Sequence, residues 1–316
     1  MSARAVAGAL LLLAALAGPA RTEVDHEDVE AADQLDPAQR QELLAAPDHA
    51  GRVADAELLA RVARRLRGTG KWAFRFSLAE DGGAPAALTE FNAELPMIPA
   101  STMKLLTGRL AFERGLGGEA YLRRMLRLSV NEMADKLLEA EGGPPALLRF
   151  VAAKGWPAAG LRVADGSGLS GSDRVTAGLE TALLEDALAS ADYDRFRQLL
   201  ARPDVDSTLR REGRLRDLAG APGQLGRVYA KTGTLPRTGV VALAGFVELE
   251  SGGTLVFSIL GNALQVSKLD AREALDDVVR LHVRAAEALA RARVAALGRP
   301  RFAKPSQLAL SAPRFD

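Results

Sequence analysis

The stretch that decides the fold is residues 240–260, VVALAGFVELESGGTLVFSIL. It holds two apolar runs, Val240 to Leu249 and Thr254 to Leu260, joined by Ser251-Gly252-Gly253. Buried strands have this apolar, β-branched composition, and small turn residues between two such runs favour a hairpin. The stretch therefore predicts a long antiparallel hairpin.

Downstream of the hairpin, one long helix is expected. Residues Ser267 to Leu297 keep an amphipathic helical pattern, with Ser267 placed to cap the first turn. Gly298 is a typical helix stop. The hairpin is therefore followed by a terminal helix of some thirty residues, with a disordered tail expected at 299–316.

Upstream, the pattern changes from helix to strand. Apolar residues at helical spacing run from Val53 to Leu66, and Arg67-Gly68 ends the pattern. Lys71 to Leu78 alternates as a strand with Trp72, Phe74 and Phe76 on one face, and a Gly82-Gly83 turn leads to a second strand ending near Phe91. This order predicts an α/β (α+β) fold in which the N- and C-terminal pieces share one antiparallel sheet packed against helices.

Composition excludes several classes of function. The 316 residues carry 41 Lys and Arg against 40 Asp and Glu, so a net charge of +1 gives no basic field for a nucleic acid. No cysteine is present, which excludes disulfides, cysteine nucleophiles and thiolate zinc sites. With only three histidines, at 26, 49 and 282, no metal site and no cofactor are expected.

The N-terminal segment predicts export. Arg4 precedes an apolar run from Ala5 to Ala17, and Gly18-Pro19-Ala20 supplies the small residues of a cleavage site. The run of about 13 residues is shorter than the roughly 20 that a membrane span needs. We expect a signal peptide at 1–20, a flexible leader at 21–50 and a folded domain at 51–298. The mature protein is then periplasmic or extracellular, with no integral membrane span.

The first chemical motif is Pro99-Ala100-Ser101-Thr102-Met103-Lys104. Proline suits the first turn of a helix, and residues three apart share a helical face. Ser101 and Lys104 therefore form a nucleophile beside a base, provided that burial keeps the lysine neutral part of the time. Taken alone, Ser-x-x-Lys is a weak signal.

Two further motifs strengthen that signal. Ser129-Val130-Asn131 follows an expected helix, and Lys231-Thr232-Gly233-Thr234 lies just before the Val240 strand. On a strand, Lys231 and Gly233 point to one face, and the glycine is expected to leave room for a substrate backbone. Ser-x-x-Lys, Ser-x-Asn and Lys-Thr-Gly together form the set of penicillin-binding proteins and β-lactamases.

The chain also resembles one family within that set. Residues 161–170, with Asp165-Gly166-Ser167-Gly168, and residues 206–210 and 226–235 resemble the D-alanyl-D-alanine carboxypeptidase/endopeptidase family, the low-molecular-mass class C penicillin-binding proteins. The resemblance extends from Trp72 to about Asn262. It implies the penicillin-binding protein/β-lactamase-like transpeptidase fold and makes 51–298 a serine DD-peptidase domain.

The resemblance also implies residue roles. Ser101 is the acylated nucleophile, Lys104 its base, and Ser129 a relay of protons to the leaving amine. The backbone N–H groups of Ser101 and Thr234 form an oxyanion hole. The reaction implied is transfer of a peptidoglycan stem peptide to the enzyme and then to water, with β-lactam antibiotics as covalent ligands. The substrate-binding residues that it implies are Asn131, Asp165, Ser167, Lys231, Thr232, Gly233 and Thr234.

One feature departs from the family pattern. Relatives usually carry a large insertion between Ser-x-x-Lys and Ser-x-Asn, whereas Ser101 and Ser129 are 28 positions apart here. Leu105 to Leu128 suffices for the rest of one helix, a glycine-rich turn at Gly115 to Gly118 and a short second helix. The chain is therefore a short form of the family.

Several alternatives remain open at this stage. The resemblance implies a serine-type D-Ala-D-Ala carboxypeptidase, and DD-endopeptidase action on cross-links is left open. A serine β-lactamase or esterase would use the same motifs, although no Glu-x-x-Leu-Asn loop precedes Lys231. A penicillin- or peptidoglycan-binding protein without turnover is a third reading. A Ser-His-Asp hydrolase is poorly supported, because no Gly-x-Ser-x-Gly elbow is present and the histidines are expected to be solvated or packed.

Overall fold

The computed structural model describes residues 62, 65–66, 68–80, 83–221, 223–224 and 226–296. The predicted signal peptide, leader and tail lie outside these residues, as does most of the helix expected from Val53. Of that helix, Val62, Arg65 and Leu66 are described and are helical. No helix in these ranges combines the length and the apolar character needed to cross a bilayer.

The described residues form one antiparallel sheet of five strands in the order β2-β1-β5-β4-β3. The β4–β5 pair is the hairpin predicted from residues 240–260, and β1 pairs with β5 along its whole length, from Lys71 opposite Asn262 to Ala79 opposite Thr254. The predicted joining of the N- and C-terminal pieces is thereby confirmed. The strands are β1 Lys71–Ala79, β2 Ala86–Phe91, β3 Gly226–Leu235, β4 Val240–Leu249 and β5 Thr254–Asn262.

A helical layer, inserted in the sequence between β2 and β3, covers one face of the sheet, and a terminal helix covers the other. The terminal helix begins after Ser267, whose hydroxyl accepts the N–H of Asp270 at 3.1 Å, as expected for its cap. The helices are α1 Met103–Glu113, α2 Gly118–Leu128, α3 Asn131–Ala140, α4 Pro144–Lys154, α5 Ala177–Ala189, α6 Tyr193–Arg197, α7 Thr208–Arg211 and α8 Lys268–Ala296.

Alternation along the strands builds a separate core on each face. In β4, Leu243 and Val247 pack with α8, whereas Ala244 and Phe246 pack with the helical layer. The sheet is thus buried on both sides, which explains the continuous apolar runs of its central strands. Trp72, Phe74 and Phe76 all belong to the core under α8, as their spacing predicts.

His282 of α8 is packed in that core. Its ring stacks on Phe76 with a centroid separation of 3.5 Å, and its Nε2 lies 2.7 Å from the Thr89 hydroxyl. Burial lowers the pKa of His282 to about 3. The interpretation of this histidine as structural is therefore confirmed.

The short link between the first two motifs has the predicted form. Helix α1 ends at Glu113, Gly115 and Gly117 turn the chain with φ of +70°, and α2 runs from Gly118 to the residue before Ser129. Two helices and a glycine turn therefore connect the first two motifs.

Candidate active site

The candidate nucleophile lies on a strained turn. Ala100, Ser101 and Thr102 form a single 3₁₀ turn that leads into α1, and the fully buried Ala100 has φ of +49°. A positive φ is costly for a residue with a Cβ atom, so surrounding contacts must hold this turn. Ser101 itself is partly exposed, whereas Ala100 and Thr102 on either side of it are buried.

Lys104 lies one helical turn beyond Ser101 and contacts three groups. Its ammonium donates to the Ser101 hydroxyl at 2.9 Å, to Oδ1 of Asn131 at 2.7 Å and to the carbonyl of Ser167 at 2.7 Å. These partners come from the nucleophile turn, from α3 and from the 165–170 loop. The amine is therefore held in a fixed position against the serine.

Burial changes the acidity of the Lys104 ammonium. Lys104 is fully buried, and loss of hydration lowers its pKa from 10.5 to about 8, although the nearby Asp135 and Asp165 carboxylates act in the opposite direction. At this pKa a useful fraction of the amine is neutral near pH 7.5. This is the partial neutrality that a base beside Ser101 would need.

A second lysine and serine face the first pair. Lys231 on β3 is fully buried, and its ammonium donates to the Ser129 hydroxyl at 2.8 Å and to the Thr232 carbonyl at 2.7 Å. Ser129 ends α2 in a left-handed conformation, with φ of +59°, which aims its side chain across to the sheet. Burial and the nearby Lys104 lower the pKa of Lys231 well below its usual value, with Glu212 opposing.

The edge of β3 presents backbone groups to the cleft. Ala230 exchanges both backbone hydrogen bonds with Ala201 on the side away from β4. In an antiparallel strand, every second residue directs its N–H and C=O to the same side. Thr232 and Thr234 therefore direct their backbone groups to this outer edge, and the contact of Lys231 with the Thr232 carbonyl agrees.

Gly233 has a role that differs from the expected one. A Cβ atom at this position would lie 2.8 Å from the Pro99 carbonyl oxygen and 3.2 Å from the Ala100 Cβ. The space beside the glycine is filled by the nucleophile turn, so it is not left for a substrate backbone. The glycine instead lets β3 and the turn that carries Ser101 pack against each other.

Asp165 and Ser167 are also placed differently from the prediction. The Asp165 carboxylate accepts the N–H groups of Gly168 at 2.6 Å and of Ser170 at 2.7 Å, which closes the loop. Ser167 is fully buried and offers its carbonyl to Lys104. Both side chains are used inside the loop, so these residues position Lys104 rather than present side chains to a ligand.

Comparison with known proteins identifies the family. The family model described as D-Ala-D-Ala carboxypeptidase 3 (S13) matches residues 119–285, more than half of the chain. The chain belongs to this family. The resemblance deduced from the motifs is confirmed, although the match begins after Ser101 and Lys104, whose pairing rests on the geometry above.

Relatives of the S13 chain agree with the assignment. Carboxypeptidase DacB of Mycolicibacterium smegmatis is 31% identical over 184 residues, covering 50% of this chain and 36% of the relative. The chain thus spans about a third of that relative's length.

Solved structures similar to this S13 family member establish the fold. The TLA-1 extended spectrum β-lactamase has 12% identity and a TM-score of 0.61, covering 73% of this chain and 99% of its own. A class A β-lactamase from Bacteroides cellulosilyticus has 14% identity and a TM-score of 0.61, covering 74% and 99%. The predicted transpeptidase-like fold is confirmed.

Some residues of the S13 site were missed by the sequence reasoning. Asp135, one turn into α3, accepts the N–H of Gly166 at 3.0 Å and supports the loop behind Lys104. The Thr232 hydroxyl donates to the Thr208 hydroxyl at 2.9 Å. Thr208 lies in the 206–210 segment that carried the family resemblance, so a signal for it was present. Asp135 had none beyond its place in a helical run.

Charged groups also lie behind the Lys-Thr-Gly strand. Arg272 of α8 donates to Oε1 of Glu212 at 2.7 Å and to the Thr234 hydroxyl at 3.2 Å. A cavity of about 310 Å³ opens beyond Thr234, between the 236–239 turn and the 263–268 segment. Ser101 and the two lysines do not line it.

Across the described part of the S13 chain, no group of three or more candidate side chains is arranged to hold a metal ion.

Proposed function

We propose that the protein is a serine-type D-Ala-D-Ala carboxypeptidase that works through an acyl-enzyme. The observation that carries the proposal is the convergence of two serine–lysine pairs, Ser101 with Lys104 and Ser129 with Lys231, beside the open edge of β3. Each serine lies within hydrogen-bond distance of a buried amine. This arrangement supplies a nucleophile with a base and a second proton route for a leaving group.

The site suits a peptide that ends in a carboxylate. Lys104 and Lys231 are both buried and close enough to affect each other, so their charged forms are costly, and an anion beside Lys231 would offset that cost. The terminal carboxylate is expected to lie against Lys231 and Thr232. Asn131, whose Oδ1 is held by Lys104, is left with its amide N–H groups for a substrate carbonyl.

The proposed acylation uses these groups in turn. Neutral Lys104 takes the proton of Ser101 while Oγ attacks the carbonyl carbon of the penultimate D-alanine. The negative charge that develops on the carbonyl oxygen is stabilised by the N–H groups of Ser101 and Thr234. The Ser129 hydroxyl passes a proton to the leaving amine and regains one from Lys231, so that D-alanine departs and an ester on Ser101 remains. Water then hydrolyses this ester.

The partners follow from the same chemistry. Peptidoglycan stem peptides are the proposed substrates, with cross-linked peptides as a second class that would make the protein a DD-endopeptidase. β-Lactam antibiotics are the proposed covalent ligands of Ser101. The apolar run at residues 5–17 supports export, which would place the mature protein in the periplasm or outside the cell.

The test compares wild type with Ser101→Ala. We expect one equivalent of penicillin to add covalently to wild type and none to the variant, as measured by intact mass. Release of D-alanine from a pentapeptide and cleavage of a cross-linked dimer are measured side by side. Labelling without release of peptide products would favour a binding protein without turnover. Rapid turnover of the β-lactam would favour a β-lactamase. Absence of any adduct in wild type would refute the acyl-enzyme proposal.

A further inference from the structure

A buried carboxyl group lies behind the nucleophile turn. Glu180 of α5 is fully buried between the helical layer and the sheet. Its Oε2 accepts the Ser258 hydroxyl of β5 at 2.7 Å. Its Oε1 is equally buried and has no hydrogen-bond partner in the described part of the chain. An ionised carboxylate with a bare buried oxygen would be costly, so this environment favours the neutral acid.

Thr102, the residue after the nucleophile, lies within interaction range of the Glu180 carboxyl. The Thr102 hydroxyl donates a hydrogen bond to the Pro99 carbonyl at 2.8 Å. A hydroxyl that donates one hydrogen bond can still accept another, and a neutral carboxyl has an O–H group that can donate it. The groups needed for a chain of hydrogen bonds from α5 to the turn that carries Ser101 are therefore present.

We propose that Glu180 is a positioning residue for Ser101, in which the neutral carboxyl donates from Oε1 to Thr102 and Thr102 donates to the Pro99 carbonyl. This chain fixes both ends of the turn that holds Ala100 at φ of +49°. Glu180 does not touch the reacting atoms. Its effect is to keep the Ser101 hydroxyl against Lys104. The proposal deepens the proposed function, since acylation of Ser101 is one of its readouts.

The electrostatic surroundings of Glu180 are simple. Burial raises its pKa to about 7, and the hydrogen bond donated by the Ser258 hydroxyl acts against that rise. Charged side chains on this helix and on α1, which packs against it, have other partners. These are Lys104 with Ser101, Glu185 with Ser77 and Arg75, and Arg109 with Glu113 and Asp186. Loss of the Glu180 proton above neutral pH therefore removes the hydrogen-bond donor to Thr102. None of these charged side chains is free to pair with the carboxylate that forms.

Two substitutions distinguish the effect of the hydrogen-bond donor at residue 180 from the effect of side-chain volume. In Glu180→Gln, the amide N–H donates to Thr102 at every pH and the amide oxygen accepts from Ser258. In Glu180→Met, a side chain of similar length has no donor. Glu185→Gln is the matched control, because Glu185 lies on the same helix and also accepts a serine hydroxyl, that of Ser77 at 2.6 Å, but has no contact with the turn.

The rate constant for acylation by penicillin is measured for each protein from pH 6 to pH 8. The titration of Lys104 affects all of these proteins alike. The ratio of the acylation rate constant of Glu180→Gln to that of wild type therefore reports the ionisation of Glu180. We expect this ratio to rise about fivefold as the wild-type acid ionises around pH 7. Glu180→Met is expected to be about tenfold slower than Glu180→Gln at all pH values, which corresponds to about 1.4 kcal/mol of barrier. Glu185→Gln should follow wild type.

Nuclear magnetic resonance supplies a readout that needs no acylation. In protein labelled with ¹³C at glutamate carboxyls, one resonance should titrate near pH 7 and be missing from Glu180→Gln. The amide resonances of Ser101 and Thr102 should shift with the same midpoint in wild type and not in the variant. A Glu180 resonance that titrates near pH 4.5, or turn amides that ignore it, would overturn the proposal. An acylation ratio that stays flat, or equal rates for the Gln and Met variants, would do the same. Failure of wild type to form any adduct would refute the proposed function, while the two titrations would still decide the role of Glu180.

Discussion

Replacement of Gly233 with alanine would add one methyl group where β3 meets the turn that carries Ser101. The new Cβ would lie 2.8 Å from the Pro99 oxygen and 3.0 Å from the Ala242 Cβ. Ordinary contacts begin at 3.4 Å, so β3 and the turn must separate by at least 0.6 Å. All of these neighbours are backbone or Cβ atoms, which have no side-chain freedom with which to yield.

The cost can be worked from that displacement. A misplacement of about 1 Å between reacting groups costs about 100-fold in rate, so 0.6 Å corresponds to about tenfold to twentyfold. We therefore expect Gly233→Ala to acylate about tenfold to twentyfold more slowly than wild type. Overpacking should also lower the free energy of unfolding by about 1–3 kcal/mol.

The assay is the second-order rate constant of labelling with a fluorescent penicillin, measured at a temperature where thermal unfolding shows every protein folded. Gly171→Ala is the matched control, because Gly171 directly follows the 165–170 loop and a Cβ there meets nothing within 4 Å. It should label at the wild-type rate. If Gly233→Ala labels within twofold of wild type, or if Gly171→Ala is slowed as much, the steric reasoning is wrong.

Three other expectations follow from the structure. In the Glu180→Gln background, the acylation rate should rise about tenfold from pH 7 to pH 9, because a pKa of about 8 makes Lys104 about 9% neutral at the first pH and about 91% at the second. A flat stopped-flow profile would contradict Lys104 as the base. Arg214→Met leaves the buried Asp276, now 2.6 Å from Arg214, without its partner and should cost about 3–5 kcal/mol in urea unfolding. A loss below 1 kcal/mol would contradict this. Ser267→Ala removes the cap of α8 and should cost about 1 kcal/mol by the same method, and no measurable loss would mean that the cap is unused.

The elements of this fold are local in origin, which is why the sequence predicts them well. Val240 to Leu249 is a strand at the predicted boundaries, and the terminal helix begins one residue after its predicted cap. The three motifs also meet as the family resemblance implies. Apolar periodicity and turn residues depend on neighbours in sequence, so one chain is enough to detect them.

The misplaced roles concern contacts between distant segments. Gly233 was expected to face a ligand, but its neighbour is the turn at Pro99, more than a hundred residues earlier. Ser167 contributes a carbonyl rather than a side chain, and a carbonyl has no residue type to recognise. Glu180 lies in a helical run that gives no sign of its contact with Ser258, 78 positions away. Such roles depend on how the layers pack, which local pattern does not encode.

The bridge between Ala201 and Ala230 limits how far a partner can extend the sheet at its β3 edge. A free strand edge is a template for other chains, and a long one invites association between protein molecules. Here pairing is already occupied up to Ala230, which leaves only Lys231 to Leu235, about 16 Å of strand, for an incoming peptide. A short flexible peptide fits that length, whereas the long edge of another sheet would collide with the Ala201 segment. The same bridge therefore limits the length of peptide that can pair with β3 and hinders pairing of β3 with a strand of another protein molecule.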